Sequence, residues 1–215
     1  KTGGHIVTQV RNRDAFLRAG MREGEDFTAI DSEAVAKPFH QLSNLVRGGE
    51  GKGWTTNTAI ETLSYPYFEH LVWKQFGAAI KDGTYNIVHR VTPLSPTSVS
   101  FIAPKVAKAG AKFIMGPING GIPWPEGFDA ERRREKEWLS YVRNAYKAMP
   151  GRMGMIKAAG AIIAGSHHTR GEYPDIYQDK CFYVPENAID PERFSLHRTA
   201  EGDDDGPLRA CFIGR

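Results

Sequence analysis

The sequence predicts an α/β protein built on a Rossmann-like, mainly parallel sheet with helices on both faces. Three observations carry that expectation. Short apolar runs alternate with amphipathic stretches long enough to be crossover helices, as in a chain of βαβ units. Two of the runs, Phe113–Met115 and Ala161–Ala164, are apolar without alternation, as strands covered on both faces are. With 215 residues, 40% hydrophobic and 25% charged, the chain can bury one substantial core.

The elements follow in order. His5–Val10 is β-branched and strand-like, and Asp14–Met21 suits a short helix capped by Asp14. Phe27–Ile30 is a second strand, and Glu33–Val46 a helix that runs into the glycine-rich loop Gly48–Gly53. Asn57–Lys81 reads as a long helical segment with a break near Pro66, because proline lacks the N–H the ladder needs. Tyr85–His89 is a strand stopped by Pro93 and Pro96. Ser98–Ala109 reads as helix, Ala111–Met115 as strand, and Gly116–Phe128 as a loop. Asp129–Met149 is a charged helix whose apolar positions Trp138, Tyr141, Val142 and Ala145 recur at helical spacing, with a shorter helix after Pro150. Ala158–Ala164 is a strand, His167–Glu172 a brief helix capped by Ser166, and Lys180–Val184 and Arg209–Ile213 are the last strands.

Composition narrows the function classes. Twenty-eight basic residues against 25 acidic ones leave a net charge of +3, too mild for a nucleic-acid surface. The cluster Arg132–Arg134 reads as a solvated helix face, with an anionic lipid or phosphate as the lesser reading. The two cysteines, Cys181 and Cys211, lie in apolar strand-like runs without metal-ligand spacing. They read as buried free thiols of a reducing cytoplasm, with a disulfide as the alternative. No apolar run approaches the ~18 residues of a membrane span, and Lys1-Thr-Gly-Gly-His5 is not a signal peptide. The expected placement is therefore cytoplasmic.

In parallel sheets ligands bind beyond the C-terminal strand ends, and three of these ends carry chemistry. The first, Val88-His-Arg-Val-Thr-Pro-Leu-Ser-Pro-Thr97, offers His89 and Thr92 in a proline-stiffened loop, suited to a sugar hydroxyl or a phosphate. The second, Gly116-Pro-Ile-Asn-Gly-Gly-Ile-Pro-Trp-Pro125, offers the amide of Asn119, backbone N–H groups at Gly120 and Gly121, and Trp124 as a wall for a sugar ring. The third, Ala164-Gly-Ser-His-His-Thr169, is a capped strand-to-helix turn. Its adjacent histidines cannot share a helix face as metal ligands do, so no metal is expected. Glu33 and Glu69 are the carboxylates considered for acid/base work. Glu201–Gly206, with three consecutive aspartates, reads as a solvated linker.

Together these strand ends resemble the N-terminal, acceptor-side domain of family 4 (group 1) glycosyltransferases, one half of a two-Rossmann-domain fold. Asn86-Ile-Val-His89 is similar to that family's strand ending in histidine. Val184-Pro-Glu-Asn-Ala-Ile-Asp190-Pro-Glu-Arg-Phe194 is similar to its crossover segment, and Cys211-Phe-Ile-Gly-Arg215 to the first strand of its donor domain. The loop Gly116–Pro125 stands where the family carries a histidine-glycine pair. The resemblance implies an acceptor-side domain over 1–195, an acidic linker over 196–207, and the start of a nucleotide-sugar-binding domain at 208–215. It implies retaining transfer of a sugar from a nucleotide-sugar donor to a glycan or lipid-linked hydroxyl, without a metal or other cofactor and with peripheral contact to the inner membrane surface. His89 would act at the reacting sugar. Thr92, Asn119, Gly120, Gly121 and Trp124 would line the acceptor side, and Glu186, Asn187 and Arg215 the donor side. An arginine suits the donor diphosphate because it stays charged and grips phosphate oxygens in pairs. On this reading the chain is trimmed at both ends and transfers poorly alone. The competing readings are a noncatalytic domain of the same fold, or a dinucleotide- or small-ligand-binding module. The latter should show Gly-x-Gly-x-x-Gly after its first strand, and the sequence has none.

Overall fold

The structure is a computed structural model that describes residues 3–38, 54–120, 126–134, 147–185, 190 and 192, without the side chains of 54–63, 131, 132 and 134. It is an α/β fold of parallel strands flanked by helices, Rossmann-like as the alternating pattern predicts. β1 (Ile6–Gln9) and β2 (Phe27–Ile30) form a parallel pair, with Ile6 opposite Phe27. Between them α1 spans Arg13–Arg18. It starts one residue earlier than the sequence suggests, from Asn12, and its cap makes no side-chain bond. Asp14 therefore sits inside the first turn, where its charge still complements the helix N-terminus. Residues 33–38 form α2, and the remainder of the expected helix lies outside the described residues.

α3 runs unbroken from Trp54 to Lys81, through Pro66. The expected break is absent: one missing N–H removes a single bond from a 28-residue ladder, and Tyr65, Glu69 and Ile80 are anchored in the interior on either side. β3 (Ile87–Arg90), β4 (Lys112–Ile118), β5 (Ala159–Ala164) and β6 (Cys181–Tyr183) form a parallel sheet in that order. The connections are α4 (Ala103–Lys108), then α5 (Asp129–Arg134) and α6 (Arg152–Ala158), then α7 (His167–Gly171) with a 3-10 turn at Asp175–Lys180.

Register sorts the strand residues into two faces. Arg90 pairs with Met115, Met115 with Ile162, and Ile162 with Cys181. That face meets Ile80 of α3, Ala103 and Val106 of α4, and Met155 and Ile156 of α6 in one buried cluster. The alternate residues lie on the other face. Ile87 and Phe182 are each more than half exposed there, His89 is exposed, and Ile114, Ala161 and Ile163 are half-buried.

Two element ends differ from the sequence reading for reasons of packing. α4 begins at Ala103, not near Ser98, because the preceding residues are held by tertiary bonds: Ser98 O to Arg90, Ser100 N to Met155, and Phe101 N to Glu69. β4 continues to Ile118 through a register shift after Met115. Gly116 makes that possible. Its φ of 125° is outside the range of other residues, and a Cβ there would collide with the carbonyl oxygen of Ile163.

Candidate functional site

The C-terminal ends of β3 to β6 are joined by hydrogen bonds into one rim. From the loop after β3, Leu94 O accepts from Asn119 N at 2.9 Å. At the end of β4, Ile118 O accepts from Gly165 N at 2.8 Å, and Gly120 O accepts from the Thr169 hydroxyl at 3.0 Å. At the end of β5, Ala164 O accepts from Val184 N at 3.0 Å. Ser166 caps α7 by accepting from Thr169 N at 3.1 Å, as the sequence predicts. The His167 and Tyr183 rings lie 4.0 Å apart, which ties the β5 turn to β6. Four consecutive strand ends thus present one continuous edge, the place where parallel sheets take ligands.

His89 sits on this edge. Its Nε2 donates to Gly116 O at 2.7 Å, so the strand-end histidine is oriented by the bulge of the neighbouring strand. Thr92 is exposed, and its peptide bond to Pro93 is cis, as is that between Gly116 and Pro117. Asn119 turns its Oδ1 onto Gly120 N at 2.9 Å, and Gly120 has φ 117°. The structure therefore brings His89, Asn119 and Gly120 to one rim, with Thr92 at its margin. Gly121, Trp124, Glu186, Asn187, Cys211 and Arg215 lie outside the described residues, as do the linker at 196–207, the segment 208–215 and the expected helix face at Trp138.

Behind the rim, on the helix-covered face, is a polar knot that sequence reasoning missed. Glu69 is 1% exposed; it accepts from the Ser100 hydroxyl at 2.5 Å and from Phe101 N at 2.7 Å. Burial raises its pKa above the ordinary value, against the bonds from Ser100 and Phe101 and the charge of Arg90. Arg90 is 6% exposed, donates to Ser98 O at 2.8 Å and lies over the Tyr65 ring. Burial, then the Glu69 charge, pushes the Tyr65 phenol well above its usual range. Burial likewise pushes Tyr173 up to about 12. No local motif marks this knot; a glutamate and an arginine at apolar-patterned positions of α3 and β3 are its one sequence signal.

The chain matches no protein-family model, no curated protein and no solved structure. Function therefore has to be read from the residues.

Neither carboxylate weighed for acid/base work touches the rim: Glu33 pairs with Arg11 at 2.9 Å, and Glu69 is committed to residues 100–102. Among the described residues no three His, Cys, Asp or Glu side chains converge as metal ligands would. Cys181 is a buried free thiol whose pKa is raised by burial, and its Sγ donates to Tyr177 O. No helix among the described residues is long and apolar enough to cross a membrane. At the rim the turn at Asn119 and Gly120 is paired within the protein, and His89 presents an exposed, oriented imidazole beside it.

Proposed function

We propose that this chain is the acceptor-side part of a retaining glycosyltransferase that moves a sugar from a nucleotide-sugar donor to the hydroxyl of a glycan or lipid-linked acceptor. The observation that carries the reading is the rim itself: His89 stands on β3, oriented by Gly116 O of the neighbouring β4, whose C-terminal end leads into Asn119 and Gly120. The sequence resemblance at Asn86–His89 and at 184–194 supports the same reading.

In the reaction the bond between the anomeric carbon and the donor phosphate oxygen breaks, and a bond to the acceptor oxygen forms. The acceptor hydroxyl passes its proton to the departing phosphate oxygen, and the electron pair of the broken bond leaves with the nucleoside diphosphate. Holding donor and acceptor together, with the acceptor oxygen on the face that the diphosphate leaves as retention requires, removes much of the entropic part of such a barrier. His89 contributes by fixing a hydroxyl of the reacting sugars, and the internally bonded turn at Asn119 and Gly120 by shaping the acceptor side. The positive charge that the departing diphosphate needs falls to Arg215 on this reading. Contact with an anionic membrane surface, where lipid-linked acceptors reside, belongs to the same proposal.

The test is nucleoside diphosphate release from a panel of nucleotide sugars, with and without simple glycoside acceptors, on the whole gene product. Acceptor-dependent release that falls ~100-fold or more in His89→Ala supports the reading. Undiminished turnover in that variant, or no release with any donor, overturns it.

A further inference from the structure

Arg90 is a buried cation that the fold does not pair directly. It is 6% exposed, yet among the described residues no carboxylate forms an ion pair with it, and its Nε is a buried N–H without an acceptor. Its close contacts are neutral: the Ser98 carbonyl at 2.8 Å, the Met155 sulfur at 3.8 Å and the Tyr65 ring. Glu69 feels the Arg90 charge, but its oxygens are spent on the Ser100 hydroxyl and on the N–H groups of Phe101 and Ile102. A second guanidinium stands close by. Arg152, 5% exposed, lies one turn before Met155 on α6 and over the Tyr173 ring. Burial pushes the Tyr173 phenol up, and the charges of Arg90 and Arg152 both act against that, so the two cations share one neighbourhood. The Glu172 carboxylate is matched there by Lys147 at 3.1 Å. Among the described residues, two buried guanidiniums are thus left against Glu69.

We propose that the folded protein binds a monovalent inorganic anion of the chloride class at Arg90 Nε, between β3 and α6. A water would satisfy the N–H but leave the surplus positive charge, which a low-dielectric interior tolerates poorly. A phosphate would bring two charges and several oxygens, more than one guanidinium edge can satisfy. The surroundings are a thioether and two buried aromatic rings, which suit a single, weakly hydrated atom. The site lies on the helix-covered face, with Met155 and Tyr173, and does not depend on the glycosyl-transfer reading of the rim.

Urea unfolding of the protein at neutral pH and constant ionic strength, with sodium gluconate replaced stepwise by sodium chloride, tests this. An anion bound only by the folded state multiplies the folded-to-unfolded ratio by one plus the ratio of chloride concentration to Kd, about tenfold at roughly 0.1 M for a Kd of about 10 mM. The unfolding midpoint should climb accordingly; a midpoint indifferent to the exchange overturns the proposal. Arg90→Met removes both the N–H and the charge, and should lose the chloride dependence. A Met variant as chloride-dependent as the wild type overturns the proposal as well. A second measurement does not require that variant to fold: anomalous diffraction from wild-type crystals soaked in sodium bromide. A bromide peak within about 3.5 Å of Arg90 Nε is expected. Water alone at that position, or bromide found only on the surface, overturns the proposal.

Discussion

His89 and Arg90 are neighbours on one strand and have opposite fates. The pleat turns them to opposite faces. Arg90 enters the helix-covered side, where it donates to the Ser98 carbonyl, lies over the Tyr65 ring and places its charge near Glu69, while its Nε has no hydrogen-bond partner among the described residues. His89 enters the open side, where one nitrogen is tied to Gly116 and the other has no partner among the described residues. Each is a nitrogen base on β3, yet one is spent on architecture and the other is left available. Burial decides between them. A charge taken out of water has to be satisfied by the protein, which commits it, whereas an exposed imidazole can keep one atom uncommitted.

The largest effect should come from breaking the committed side. Arg90→Met leaves the Ser98 carbonyl and the buried Glu69 carboxylate without their cationic partner, and should cost about 3–5 kcal/mol in urea unfolding near neutral pH. The companion variant Arg90→Met with Glu69→Gln removes the stranded charge as well, and should recover a large share of that loss. A double variant no more stable than Arg90→Met would show that the two side chains are not electrostatically linked, and that the knot is two separate sites.

The second effect is a pH dependence with a definite sign. The folded-state pKa of Glu69 is raised above its ordinary 4.5, chiefly by burial. The native protein therefore binds the Glu69 proton more tightly than the unfolded chain does. The stability this supplies is full below the unfolded pKa and is lost as pH rises through the folded one. Glu69→Gln keeps an oxygen for Phe101 N and does not titrate. The wild type should therefore lose ground against Glu69→Gln as pH is raised from 4 through the mildly acidic range, by about 1.4 kcal/mol for each unit of upward shift. Parallel denaturation curves at several pH values check this, and a gap that moves the other way would mean that the Arg90 and Ser100 contacts outweigh desolvation.

The sequence showed one half of this arrangement more readily than the other. The parallel sheet was legible because buried parallel strands write continuous apolar runs, as at Phe113–Met115, and because Ser166 is a local cap whose partner, Thr169, lies three residues on. His89 was legible because histidine at a strand end beside prolines stands out from its surroundings. The knot was not, since Glu69 meets Ser100 across 31 residues and Arg90 meets Met155 across 65, and nothing local records such pairings. The same long-range bonds explain why helix propensity at Ser98–Ile102 was overridden: those backbone groups already had partners in Glu69, Arg90 and Met155. Gly116 was visible as a loop glycine, but its role as the anchor of His89 needed the bulge, a property of two strands and not of one.

The smallest effect on stability should fall on the residue proposed to matter most for chemistry. His89 is exposed, and among the described residues its one hydrogen bond is to Gly116 O. His89→Gln can replace that bond with an amide N–H, so its unfolding free energy should stay within about 0.5 kcal/mol of wild type. His89→Ala gives up the bond and frees the carbonyl of Gly116, itself a buried residue, which should cost about 1–3 kcal/mol. These values would stand against the several kcal/mol expected one residue away at Arg90, a contrast that urea unfolding of the single variants measures directly. If His89→Ala destabilises the protein as much as Arg90→Met does, His89 belongs to the architecture after all, and its loss of turnover would reflect a damaged sheet edge. If stability holds while nucleotide-sugar turnover collapses, the division of labour between the two faces of β3 is real, because only a residue left uncommitted by the fold can lose its function without the fold noticing.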